Sequence, residues 1–223
     1  MARDPHMAWQ PSLFASLPTA VTIDEDFTTL ERIQLDDDSW VDYAPAWVDA
    51  PDALFEDIVR VRDWGQRTRR MYDKEVVEPR LTSPWHESSG EPLEPQVVDL
   101  MRKVLSDRYD VNFDSAGFNL YRDGRDSVAW HRDRISKKID RPIVALVGLG
   151  DRRKFLMRPY GGGPSKNFPL GAGDLLVTGG NAQRTWEHSI PKVAKAGPRI
   201  SIAFRHGMDP AAYAGKKVLP ASP

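Results

Sequence analysis

Apolar residues recur at helical spacing in two places in the first half of the chain. Leu54, Phe55, Ile58 and Val61 share one face of a stretch opened by Pro51, which predicts a helix over 51–64. Val97, Val98, Leu100, Met101 and Leu105 form a second stripe and predict a helix over 95–108. Between them, residues 75–95 are punctuated by Pro, Ser and Gly and read as an extended loop or hairpin. Residues 1–50, rich in Asp, Pro and Trp, read as irregular apart from a short strand near 27–35.

From Gly117 the period changes from helical to alternating. Short strands are predicted over 118–122, 127–131, 143–149, 154–158, 174–178, 184–188 and 199–206. Gly and Pro clusters separate them, as at 161–164 and 179–180. Many short strands without intervening helices argue for an antiparallel sandwich or barrel. The predicted class is therefore α+β, mainly β, with two N-terminal helices leading into and buttressing a double-sheet β-domain. One domain is expected over 21–210, with tails at 1–20 and 211–223; Met1–Met7 reads as an added leader, with Met7 the natural start, and is set aside.

Composition narrows the chemistry. The chain has 223 residues, is 40% hydrophobic and 28% charged, and so reads as an ordinary globular protein. No stretch approaches the roughly 18 apolar residues of a membrane span, so no membrane partner is expected. There is no cysteine, which excludes disulfides, thiol catalysis and a thiolate metal site and fits a cytoplasmic location. Any metal must be held by carboxylates and the five histidines. The net charge of -1 excludes a globally basic nucleic-acid binder. Basic residues do cluster locally, at 60–70, at 132–141 and at 152–154.

The triplet His131-Arg132-Asp133 closes a predicted strand. Alternation turns positions 131 and 133 to one face and Arg132 to the other, so an imidazole nitrogen and a carboxylate oxygen converge. His188, expected at the end of its own strand, would complete a two-His, one-carboxylate set that leaves positions open for a chelating cosubstrate and O2. An isolated H-x-D is common on surfaces. His86, in a polar loop, and His206, beyond the last strand, read as structural, and His6 belongs to the leader.

Two further strands keep that triplet company. Arg199 and Arg205 are an even number of positions apart on one strand, with Ser201 and Ala203 between them and Ile200, Ile202 and Phe204 on the core side. A buried guanidinium needs an anionic partner and matches a carboxylate. Either a dicarboxylate ligand or structural salt bridges would meet that need. Asn119 and Tyr121 likewise share a face, and both can donate to carboxylate or keto oxygens.

Together, FNLYRDGRDSVAWHRD, WEHSIP and PRISIAFR resemble the AlkB family of iron(II)/2-oxoglutarate dioxygenases. The resemblance runs over 72–206, and EPRLTSPW at 78–85 is similar to the animal members that repair alkylated bases. It implies a double-stranded β-helix, a jelly-roll variant. It also implies iron(II) on His131, Asp133 and His188, which form the catalytic centre, and 2-oxoglutarate on Asn119, Tyr121, Arg199, Ser201 and Arg205. The cosubstrate is O2 and the implied reaction is oxidative dealkylation of N-alkylated bases such as 1-methyladenine and 3-methylcytosine, releasing formaldehyde and succinate. Two departures stand out. The last strand has Ser201 and Ala203 where the family commonly has Asn and Thr, and Ile135 stands where members often carry an acid that meets the base.

A base inside a duplex cannot reach a buried metal, so the implied partner is alkylated DNA or RNA presented flipped or single-stranded. Stacking candidates are Tyr72, Trp85 and Trp130; phosphate or base contacts are Arg80, Arg134, Arg158 and Lys166. A monomer is expected. The same metal residues also suit a hydroxylase of a protein or small molecule, or a non-catalytic nucleic-acid-binding module that keeps the fold.

Overall fold

The computed structural model describes residues 20–71, 74–133, 135–210 and 219–220. The chain passes through β1 (Thr22–Ile23), β2 (Glu31–Gln34), β3 (Ser39–Ala44) and β4 (Val48–Asp49) before helix α1 (Pro51–Val61). A hairpin of β5 (Gly65–Met71) and β6 (Lys74–His86) leads to α2 (Gln96–Tyr109). There follow β7 (Ser115–Tyr121), β8 (Val128–His131), β9 (Val144–Gly150), β10 (Arg153–Pro159), β11 (Lys166–Leu170) and β12 (Asp174–Gly180). The chain then makes the single-turn α3 (Ala182–Thr185), β13 (Trp186–Ile190), β14 (Arg199–Arg205) and the two-residue β15 (Leu219–Pro220).

Two antiparallel sheets face each other. The larger has the order β15-β5-β6-β7-β14-β9-β12-β3-β2 and the smaller β11-β10-β13-β8, while β1 and β4 pair separately. This is the mainly-β jelly-roll expected from the sequence. Alternation along the large sheet divides the core in two. One layer joins Val147, Leu149, Ile200, Ile202 and Phe204 to Leu54, Phe55 and Ile58 of α1 and to Val98, Met101 and Leu105 of α2. The other lies between the sheets, where Leu146, Leu176 and Ala203 meet Phe155, Met157 and Trp186.

Several expectations are corrected. α1 ends at Val61, not at residue 64, and Val61 is 42% exposed. The cause is Arg62, which leaves the helix in an extended conformation. Its guanidinium reaches Ser83 Oγ (3.2 Å) and the Pro84 carbonyl (3.1 Å) and covers the Phe118 ring. Leu100, placed on the buried stripe of α2, is 39% exposed. Residues 1–50 are not irregular throughout: β3 lies inside the large sheet, paired on both sides by β2 and β12. Its burial and that of β12 explain the glycines at 179–180, which end β12 instead of separating strands. A Cβ at Gly179 would collide with the Trp40 ring.

The loop-or-hairpin segment is the long strand β6. β5 and β11 were not anticipated. The predicted strand at 184–188 begins instead with the turn of α3, so that His188 is the middle residue of β13 and not its end.

The candidate metal and cosubstrate site

β8 and β13 place His131 directly opposite His188, with ring centroids 4.3 Å apart. Asp133 does not share a strand with His131, because β8 stops at His131. It nevertheless converges with both rings, and one ligand atom from each of His131, Asp133 and His188 lies within 4.8 Å of the others. Each group is held by a specific partner. His131 Nδ1 is 2.9 Å from the Ala129 carbonyl, which can only accept, so Nδ1 carries the proton and Nε2 faces Asp133 Oδ1 at 3.8 Å. Arg205 Nε donates to Asp133 Oδ2 at 2.9 Å, leaving Oδ1 for a ligand. The His188 ring stacks on Phe155.

Burial and neighbouring charge set the protonation states. Burial pushes the His188 imidazole down to about 3, helped by His131 and Arg205, so it is neutral and able to ligate. Burial alone would raise the Asp133 carboxyl. Arg205, His188 and His131 outweigh it and hold the group well below the usual carboxylate range. Two imidazoles and one carboxylate are the donor set of a non-haem iron(II) centre.

The second half of the site follows from the register of β7 against β14, which pairs Asn119 with Ser201 and Tyr121 with Arg199. Arg199 is fully buried. Its Nε donates to the Leu170 carbonyl at 3.1 Å, but among the described residues neither terminal nitrogen has a hydrogen-bond partner. Burial draws this guanidinium down to about 10, still cationic at neutral pH. A buried cation with two unfilled donors calls for an anion. A carboxylate fits, which favours the ligand over structural salt bridges for Arg199. Arg205 takes the other course and pairs with Asp133. The residues present thus fit both iron(II) and 2-oxoglutarate.

Asn119 Oδ1 accepts from Arg80 Nε at 3.1 Å, which leaves the Asn119 amide hydrogens for a ligand. Arg80, expected at the substrate, therefore also stands behind Asn119 and is 3.0 Å from Glu78. A cavity of about 1090 Å³ contains Asn119, Tyr121, His131, Asp133, His188 and Arg205 in its lining, room for a cosubstrate and a base together. Trp130 and Ile135 also line it. Arg158 covers the Trp130 ring at 4.0 Å and donates to Glu187 at 2.6 Å, so its charge is already matched. Trp85 is a core residue, with Nε1 bonded to the Glu91 carbonyl, and is not a stacking surface. Tyr72 and Arg134 lie outside the described residues.

Some cavity residues had no signal in the sequence. Gln183 occupies α3 without a motif, Glu187 lies within WEHSIP but was given no role, and Tyr160 is an exposed ring covered by Arg132 at 3.7 Å. Among the described residues no helix is long and apolar enough to cross a membrane.

The family model of the 2OG-Fe(II) oxygenase superfamily matches residues 56–205. The chain is 32% identical to alpha-ketoglutarate-dependent dioxygenase alkB homolog 3 of Bos taurus over 72% of its own length and 64% of the relative's. The human alkB homolog 3 is 31% identical over the same shares. DNA oxidative demethylase ALKBH2 of Arabidopsis thaliana is 33% identical over 49% of this chain and 42% of its own. The chain thus spans somewhat less than two thirds of the first two relatives. Among solved structures, OsALKBH1 superposes with a TM-score of 0.53 at 15% identity, over 79% of this chain and 100% of that one. A 2OG-Fe(II) oxygenase family oxidoreductase from Burkholderia pseudomallei gives 0.52 at 16% identity, over 75% and 84%. The two solved structures support the fold, and the relatives bear out the AlkB resemblance; the chain belongs to the 2OG-Fe(II) oxygenase superfamily.

Proposed function

We propose that this chain is an iron(II)- and 2-oxoglutarate-dependent dioxygenase that removes alkyl groups from ring nitrogens of nucleobases in DNA or RNA. The observation that carries the oxygenase half is the fully buried Arg199, with two unfilled donors, in the same fold as the His131–Asp133–His188 cluster. The names of the relatives, which include a DNA oxidative demethylase, support the nucleobase half.

When bound, iron(II) supplies the centre at which O2 is activated. His131, Asp133 and His188 would hold it, and Arg205 fixes the Asp133 carboxylate in one orientation. Arg199 would bind one carboxylate of 2-oxoglutarate, with Asn119, Tyr121, Ser201 and Arg205 as the other candidate contacts. In the overall reaction an N-methyl C–H is hydroxylated while 2-oxoglutarate loses CO2 and becomes succinate. The N–C bond then breaks to give formaldehyde and an N–H base. One O2 atom ends in succinate and the other in formaldehyde.

A flipped or single-stranded base would enter the cavity past Trp130, with Tyr72, Arg80, Arg134 and Arg158 as candidate contacts. The same reading has one domain over 21–210, with tails on either side. It has α1 and α2 buttressing the large sheet, supported by the core that their apolar faces share with β9 and β14. It also has the chain acting as a cytoplasmic monomer.

The test is formaldehyde and succinate release from oligonucleotides carrying 1-methyladenine or 3-methylcytosine. Release should require iron(II) and 2-oxoglutarate and should fall to background in Asp133→Ala. Full activity in that variant would sink the site assignment; succinate without base repair would sink the substrate.

A further inference from the structure

The amide of Gln183 is not used by the metal or by the cosubstrate. Gln183 is 5% exposed and sits in α3, where the chain crosses from β12 of the large sheet to β13 of the small one. Its Nε2 donates to Thr178 Oγ1 at 2.8 Å. The Thr178 hydroxyl proton is directed at the Val144 carbonyl at 3.4 Å. A hydroxyl has a single proton, so it has only lone pairs to offer Gln183. The amide is thereby oriented: Nε2 is committed and Oε1 is left over. Among the described residues Oε1 is buried with no hydrogen-bond partner.

Sheet register locates this acceptor. Thr178 pairs with Val144, and Val144 with Arg205, so the three form one row across β12, β9 and β14. Thr178 lies two positions from Leu176, which packs between the sheets, so it shares the inner face with Arg205. Two strand spacings separate their backbones by roughly 10 Å, and Arg205 grips Asp133. Gln183 lines the same cavity as the metal cluster. The neighbouring wall is apolar Ile135, whose carbonyl accepts from Arg184. The carboxylates of that lining are engaged, Asp133 with Arg205 and Glu187 with Arg158.

We infer that Gln183 is a specificity-determining residue: its Oε1 accepts an N–H from the amino group next to the alkylated ring nitrogen. The inference rests on the nucleobase reading above. In 1-methyladenine and 3-methylcytosine the ring carbon beside the methylated nitrogen carries an amino group. In 1-methylhypoxanthine and 3-methyluracil the same carbon carries an oxo group, whose lone pairs would face those of Oε1. A buried acceptor left unfilled rejects such an analogue more strongly than an apolar wall does.

The experiment compares kcat/KM on four oligonucleotides that differ only in the base, for the parent, Gln183→Leu and Thr178→Val. The rise in melting temperature on adding Mn2+ and 2-oxoglutarate shows that each protein is folded with its site intact. The parent should prefer the amino base of each pair. Gln183→Leu should narrow both preferences tenfold or more, through loss on the amino-bearing base. Thr178→Val frees the amide to turn Nε2 toward the base, and should narrow the preference through gain on the oxo base. An unchanged ratio in both variants, or an equal loss on all four bases, overturns the role of Gln183 and leaves the enzyme reading standing. A parent that processes none of the four overturns the nucleobase reading and this inference with it.

Discussion

Arg199 and Arg205 are one side-chain type put to two uses on a single strand. Arg205 has its anion within the protein, whereas Arg199 has no ion pair among the described residues. Arg199→Met should therefore raise the KM for 2-oxoglutarate by about a hundredfold, since charged hydrogen bonds contribute about 1.5–3 kcal/mol each. The same variant should leave the ligand-free protein no less stable in a thermal melt, because it removes a buried unmatched charge. His206 offers a different check. Burial lowers its pKa, against the pull of Asp114, and its Nε2 accepts from the Ile143 N–H at 3.0 Å. Below about pH 6.5 the unfolded chain takes up a proton that the folded one refuses. Stability should thus be full above that pH and fall as pH drops toward the lowered value. His206→Gln, which keeps an acceptor, should make the melting temperature fall less steeply between pH 7 and 5, the remaining fall coming from His188.

Helix α1 shows how a pattern can be right in kind and wrong in extent. Leu54, Phe55 and Ile58 are buried as their spacing predicts, whereas Val61, one turn on, is exposed. The four look alike along the chain; what separates them is Arg62, drawn off to Ser83 and Pro84 of β6. Ile58→Ala should cost about 2–5 kcal/mol in urea denaturation, from lost burial and the cavity left behind. Val61→Ala should stay within about 0.5 kcal/mol. Near-equal costs would contradict the packing of α1 against the sheet. β13 gives the same lesson for strands: its polar residues Glu187 and Ser189 hide an element buried along its whole length.

Across the molecule, the metal residues lie on or just after strands of the small sheet and Arg199 lies on the large one, so filling both halves of the site should hold the two sheets together. Mn2+ with 2-oxoglutarate, each at a hundred times its Kd, should stabilise the fold by about 2.7 kcal/mol per ligand. A chelator should abolish the gain, and Asp133→Ala should not respond. A parent protein whose melting temperature ignores both ligands would remove the case for the site.

Spacing within one strand is local, which is why Asn119 with Tyr121 and Arg199 with Arg205 were legible before any fold was known. The absence of cysteine likewise limited the metal donors to His and carboxylates, and the motif order pointed to His131, Asp133 and His188. Pairing between distant segments is not local, because it depends on register and on where each turn closes. Only the folded sheets set His131 opposite His188, brought Asp133 off the end of β8 onto Arg205, and placed Arg80 behind Asn119. They also left Arg199 and Gln183 with polar atoms that have no hydrogen-bond partner among the described residues. The first lies where β14 pairs with β7 and β9 and the second where β12 crosses into β13, and neither is contained in one window of residues.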